Sequence, residues 1–387
     1  MTSVNMYCYF VFILSLFQIN PLAGQSNDDK DLRDYFGAVV FLSEQNASIY
    51  QKYDGNTYEL ILREPWTKKI VVPKSNCSGS GFFIVRGLDI YLITAEHVAK
   101  CLNGQSKVKF QGPSQEKKEY YLHELTTTSS DSINLEWKRH PKADIALLYL
   151  GKLTDKMEKQ GFKAINYSSM VESLVAPNRF NDLTIFGFPL GLGETVSTIS
   201  PITKNIRPAS DVIYLGRADN GVVNPYILLD DASVGGFSGG PVLEIKQTPK
   251  NSPVFDGQQI GISPLLVGLI HGNRSGANGL DGFAAIVPAQ QILEVLDIAP
   301  KFSGKHVFYY PNGKIWSERI YKDGLPWSVI SNFDLNGNPQ EKGTLTNGNG
   351  TLHNWNEKST MSEVQIFKSG KYIGNAINMK IGAEAQN

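Results

Sequence analysis

The chain of 387 residues has no excess of charge of either sign, with 37 Lys and Arg against 37 Asp and Glu. A balanced surface has no general attraction for a polyanion, so a nucleic-acid partner is not expected. Cysteine is scarce: only Cys8, Cys77 and Cys101 occur. Long hydrophobic stretches are also missing. The one nearly unbroken apolar run, Met6 to Phe17, is shorter than the roughly 20 residues that span a bilayer. No Cys comes directly after that run, which argues against a lipid-anchored form. Helix-favouring charged runs are few.

What is present begins with an export signal. The apolar run leads to Leu22-Ala23-Gly24, a small-residue site suited to signal peptidase. No Lys or Arg precedes the run, so a retained anchor is the alternative. Residues 1–24 are read as a signal peptide, the protein as secreted or periplasmic, and the mature chain as lacking a stable membrane span. Cys8 would leave with the signal. Cys77 and Cys101 then form an even pair, which suggests a disulfide in an exported protein, or else two buried thiols.

Gly, at 36 residues, punctuates short apolar segments. Strand candidates include Ala38-Val39-Val40-Phe41-Leu42, and Tyr58 to Leu62 after a turn at Asp54-Gly55-Asn56. Others are Gly81 to Val85, Ile90 to Thr94, Lys107 to Phe110 and Ile145 to Tyr149. A second β-rich block runs from Leu183 to Val287, and Ile292, Val295 and Leu296 then recur at helical spacing. Many short strands and one late helix predict an all-β pair of barrels rather than alternating βα units. A linker is expected at Pro300 to Gly304, dividing a region 25–300 from a tail 301–387. In the tail, Gly313 and Gly337, like Gly324 and Gly348, share a spacing of about 24 residues, each after Asn or Asp. Such dipeptides favour tight hairpins, because both turn residues need positive φ.

Three segments carry the chemistry. Gly235-Gly236-Phe237-Ser238-Gly239-Gly240-Pro241 is a glycine-packed turn bearing a serine. Upstream lie Thr94-Ala95-Glu96-His97-Val98 and Ala143-Asp144-Ile145-Ala146. A serine hydroxyl is barely ionised at neutral pH and needs a base. His97 can take the proton, and Asp144 can orient and stabilise the imidazole. The chain order His, Asp, Ser is one of those that build such a set. Glycines before the serine let the N–H groups of Gly236 and Ser238 point at one oxyanion. The Gly-x-Ser-x-Gly pattern also fits the elbow of α/β-hydrolases, but that elbow needs a helix after the serine. Here Pro241 and a β-branched stretch follow.

Residues 75–297 resemble a trypsin-like (chymotrypsin-fold) serine endopeptidase, in the style of the bacterial Deg-type branch. Gly79-Ser80-Gly81-Phe82 with Thr94 to Val98 resembles its His segment. Ala143 to Leu147 resembles its Asp segment, Gly187-Phe188-Pro189-Leu190-Gly191 its second-barrel entry, and Gly236 to Pro241 its Ser segment. The resemblance implies two six-stranded antiparallel β-barrels with a C-terminal helix, and a His97-Asp144-Ser238 triad that hydrolyses peptide bonds through an acyl-enzyme. Its substrate would be a protein or peptide, and no cofactor or metal is implied. It also implies that a Cys77–Cys101 bridge ties the strand before the histidine to the turn after it. The pocket floor falls on Ala232, six residues before the nucleophile, and favours a small or medium apolar side chain. His271 would line the wall, where a histidine could instead favour an acidic side chain.

Departures are informative. Phe237 stands where many digestive relatives carry Asp. No Ile-Val-Gly-Gly start follows the signal, so activation by a freed N-terminus is not supported, and no PDZ-like segment follows residue 300. The tail from about residue 305 to 375 resembles variant MORN-type repeats, which could hold a protein partner. An inactive, binding-only relative acting through these hairpins is the alternative function.

Overall fold

In this computed structural model the described residues are 36, 38–43, four two-residue strands between 52 and 71, and 78–375. Excepted from the last range are 113–114, 127–134, 154–161, 196, 218–219, 246–263, 274–281, 311 and 356–360. The expected signal peptide, the Asp54-Gly55-Asn56 turn, Cys8 and Cys77 lie outside the described residues. Two compact units result. One comprises 300–375 with the Arg86–Asp89 turn, and the other the remaining described residues up to Ala299.

The larger unit is built on two sheets. The first runs, in spatial order, Lys138–Arg139, Ala146–Lys152, Asp89–Thr94, Ser78–Arg86, Val39–Ser43, Lys107–Gln111 and Lys117–Tyr121. Ile165–Asn166 adds a parallel pairing to Ser78–Arg86 and makes the eighth strand. Central strands are buried without alternation, as in Val39–Ser43 and Asp89–Thr94, while Lys107–Gln111 alternates. Unbroken burial means that both faces of these strands are covered. Phe83, Phe110 and Phe162 fill one side, with ring centroids 4.4 Å apart for Phe83–Phe162 and 4.7 Å for Phe110–Phe162.

The second sheet has seven strands, in the order Ile202–Ile206, Leu183–Gly187, Pro241–Glu244, Leu265–Asn273, Ala284–Pro288, Val223–Leu229 and Pro208–Gly216. Its core joins Leu183, Ile185, Ile227, Val242, Ile270 and Ile286 with Phe237. Phe237 is thus an anchor: the residue beside Ser238 is buried in the sheet's core. The expected late helix is Ala289–Ile298, burying Ile292, Val295 and Leu296. The protein is all-β with a chymotrypsin-like pair of sheets. The described strands number eight and seven, where six per barrel were expected, because short flanking strands such as Lys138–Arg139 and Ile165–Asn166 extend the pairing.

The smaller unit holds a four-stranded sheet, Gly304–Tyr309, Ile315–Lys322, Leu325–Phe333 and Pro339–Gln340, and a three-stranded one, Gly350–Trp355, Met361–Lys368 and Lys371–Asn375. Three turns share one geometry. Asp323-Gly324 has φ of 51° and 77°, Asn347-Gly348 has 51° and 77°, and Ser369-Gly370 has 52° and 76°. Two successive positive φ values match the right-handed twist of the flanking strands, which is why Asn, Asp and Gly recur there.

Candidate active site

His97 lies in the one-turn helix Glu96–Ala99, immediately after the buried strand Asp89–Thr94. Its side chain is 37% exposed, whereas that of Asp144 is 0% exposed. The His97 backbone N–H donates to Asp144 Oδ1 at 2.9 Å, and its Nδ1 lies 2.6 Å from Asp144 Oδ2. An ionised carboxylate only accepts, so Nδ1 carries the proton and the neutral ring keeps its lone pair on Nε2.

The carboxylate has two further partners that sequence reasoning missed. His271 Nδ1 also lies 2.6 Å from Asp144 Oδ2. Arg217 Nη2 lies 3.4 Å from Oδ1, and Arg217 Nη1 donates to Glu96 Oε2 at 2.7 Å. Burial works to raise the Asp144 carboxyl pKa, but the hydrogen bonds from His271 and His97 outweigh it and hold the group far below the usual carboxylate range. A bulge explains how His271 arrives. The pairing of Leu265–Asn273 with Ala284–Pro288 slips between Ile270 and Gly272, leaving His271 as the extra residue. Bulges re-aim side chains in this way. The ring lies 5.3 Å from that of Tyr226 and 5.8 Å from that of His97.

Ser238 is half-buried in the turn ahead of Pro241–Glu244, so a strand and not a helix follows it. Its hydroxyl donates to the His271 carbonyl oxygen at 3.2 Å and makes no hydrogen bond to His97. Gly236 has φ of 102°, and a Cβ there would lie 2.5 Å from the Phe188 carbonyl oxygen, so only glycine fits. The peptides carrying the Gly236 and Ser238 N–H groups are held through their carbonyls. Leu190 N–H donates to Gly235 O and Gly240 N–H to Phe237 O, each at 2.8 Å. Neither the Gly236 nor the Ser238 N–H donates to an acceptor among the described residues.

Ala232 is partly exposed, and its carbonyl accepts from Lys204 Nζ at 2.7 Å. Cys101 follows the histidine helix, with Sγ 3.4 Å from the His97 carbonyl oxygen. His140, outside the expected set, braces the acid's loop: Nδ1 accepts from Ala143 N–H at 2.7 Å, and Nε2 lies 2.7 Å from Glu294 Oε2. No local pattern marks Arg217. His271 was visible as a histidine on a strand, but its link to Asp144 needed the bulge.

A histidine held by a buried carboxylate and a serine on a glycine turn are thus carried by the two β-sheets of the larger unit. Residues 79–248 match the trypsin-like peptidase domain family. No curated protein sequence matches the chain. Among solved structures, the active form of the Rv3671c protease from M. tuberculosis is similar, at 15% identity and a TM-score of 0.36, over 72% of this chain and 92% of that one. The HtrA-type protease AlgW with a decapeptide is similar at 13% identity and a TM-score of 0.39, over 89% and 95%. The inactivated protease paralogue S-I1 of the scabies mite is similar at 12% identity and 0.38, over 70% and 97%. Likenesses this distant leave the activity to be argued from the site. Among the described residues, no helix is long and apolar enough to cross a membrane.

Proposed function

We propose that the protein is an exported serine endopeptidase acting through His97, Asp144 and Ser238. The observation that carries this reading is the buried Asp144 carboxylate, which grips His97 by both its backbone N–H and its Nδ1. That grip leaves Nε2 as the base. Rotation of the Ser238 hydroxyl from the His271 carbonyl toward Nε2 prepares the attack. The proton passes to His97 as Oγ bonds to the substrate carbonyl carbon, and the oxyanion forms between the N–H groups of Gly236 and Ser238. Collapse breaks the C–N bond, and His97 gives its proton to the leaving amine. Water then gives a proton to His97, attacks the acyl-enzyme and releases Ser238, which recovers the proton.

Ser238→Ala tests this reading, because the change is small and sits on a half-buried turn. The variant should fold and lose peptide hydrolysis by several orders of magnitude. Wild-type activity in it would end the serine mechanism.

Three finer assignments accompany the mechanism. Residues 1–24 are a cleaved signal, so the exported protein should begin at Gln25; N-terminal sequencing that finds Met1 rejects this. Cys77 and Cys101 form a disulfide, closing a loop of about 25 residues worth on the order of 3 kcal/mol; two free thiols by mass spectrometry would contradict it. Ala232 forms the pocket floor and His271 part of its wall. A small apolar floor has no counter-charge for a buried cation, so a peptide library should show cleavage after small or medium apolar residues. Dominant cleavage after Lys or Arg refutes that assignment, and cleavage after Glu makes His271 the selecting residue.

A further inference from the structure

The segment Gly79-Ser80-Gly81 has no part in the mechanism so far. Ser80 is fully buried, yet every hydrogen-bonding group it has is engaged. We propose that Ser80 is a positioning residue that holds the oxyanion hole in its working shape, an inference that rests on the serine-peptidase reading.

Four consecutive peptide groups run from Gly235 to Gly239. The first and third carry the Gly236 and Ser238 N–H groups. The second and fourth are both held by Ser80: its Oγ donates to Gly236 O at 2.6 Å, and its N–H donates to Ser238 O at 2.9 Å. The same Oγ accepts from Phe188 N–H at 2.9 Å, and Thr94 Oγ1 donates to the Ser80 carbonyl at 2.7 Å. One residue of the first sheet therefore clamps alternate peptides in the nucleophile turn of the second.

The clamp matters because sterics alone do not set this turn. A Cβ at Gly235 would meet nothing within 4 Å, and Gly236 already sits at φ of 102°. Two adjacent glycines rotate at little cost. Turning the Gly235–Gly236 peptide over would aim a carbonyl where the N–H must be. That flip turns about ψ of Gly235 and φ of Gly236; Leu190 N–H restrains its far side through Gly235 O, and Ser80, by holding Gly236 O, fixes the next peptide plane as the frame against which Gly236 keeps its φ. The approach is built into the neighbouring strand: a Cβ on Gly187 would lie 2.6 Å from Ser80 Oγ and 2.8 Å from Phe237 Cδ1.

The test compares Ser80→Ala and Ser80→Cys with the wild-type chain, using a cleaved peptide and a fluorophosphonate whose phosphoryl oxygen enters the hole. Loss of a direct oxyanion donor costs about 10²–10³-fold in kcat, so loss of its clamp should cost roughly 10- to 100-fold. In Ser80→Ala, kcat and the phosphonylation rate should fall by the same factor, with KM within about twofold and the cleavage-site preference unchanged. Ser80→Cys keeps the shape with a weaker donor and should fall between. A folded Ser80→Ala protein with kcat within about twofold of wild type overturns the proposal, as does a loss confined to KM. Should Ser80→Ala not fold, Ser80→Cys at the full wild-type rate overturns it equally. A wild-type chain that never reacts with the fluorophosphonate defeats the peptidase reading instead.

Discussion

Asp144 and Arg319 are both charged side chains taken almost wholly out of water, one in each compact unit, and their surroundings differ in kind. Asp144 gathers donors from three distant segments: the N–H and ring of His97, the guanidinium of Arg217, and the ring of His271. The cluster opens outward through the half-exposed His97. Arg319 takes its partners from the two sheets of its own unit. Its Nε donates to Ser317 Oγ and its Nη2 to Asn354 Oδ1, each at 2.9 Å, and its guanidinium lies 4.8 Å from the Phe308 ring and 5.2 Å from the Trp316 ring. Burial lowers the Arg319 pKa, with Tyr321 acting in the opposite sense. One buried charge converges on a movable proton. The other is enclosed by aromatic faces and neutral acceptors and packs as a brace.

The largest effect that separates them should come from Asp144→Asn. By comparison with serine-peptidase triads, kcat should fall about 10⁴-fold while the fold persists; a loss under tenfold would make Asp144 a brace like Arg319. Acid gives a second reading of the same residue. Its folded pKa is depressed, so its stabilising contribution is complete above the unfolded carboxylate value of about 3.9 and is lost as pH falls through the folded pKa. The stability difference between wild type and Asp144→Asn should therefore be constant from pH 8 to about 5 and shrink in stronger acid. Denaturant titrations across that range measure it, and a difference that grows toward low pH contradicts the assignment.

Arg319→Ala should act on stability alone. Removing the guanidinium takes a donor from Ser317 Oγ and from Asn354 Oδ1 and opens a gap beside Phe308 and Trp316, at a cost of about 2–4 kcal/mol. Thermal unfolding should register this while kcat on a short peptide stays at the wild-type value; a matching fall in kcat would remove the contrast between the two charges.

The smallest effect is expected for His271→Phe, which keeps a ring but removes one donor to Asp144. A positioning role through Asp144 predicts a fall of roughly tenfold in kcat with an unchanged cleavage-site preference. A changed preference with kcat intact would instead place His271 in substrate selection.

Much of the larger unit was legible in the sequence because its signals are local. Thr94 to Val98, Ala143 to Ile145 and Gly235 to Pro241 are contiguous strings, and the apolar runs foretold strands such as Asp89–Thr94 and Leu183–Gly187. Two of the tail's pairs, Asp323-Gly324 and Asn347-Gly348, likewise foretold positive-φ turns, whereas at Asn336-Gly337 only the glycine takes a positive φ. What escaped depends on long-range pairing. The Arg217–Asp144 contact spans 73 residues and the Ser80–Gly236 bond 156, and no periodicity encodes either. The bulge at His271 is a one-residue slip between strands, invisible until the partner strand is known.

The most direct test of the account is covalent labelling of the nucleophile. The protein, treated with a fluorophosphonate, should gain one adduct by intact mass, mapped to Ser238 by peptide sequencing. Ser238→Ala should gain none, and Asp144→Asn should react far more slowly than wild type. A folded wild-type protein that gains no adduct, or gains it elsewhere than on Ser238, would contradict the assignment of Ser238 as a nucleophile activated by His97 and Asp144.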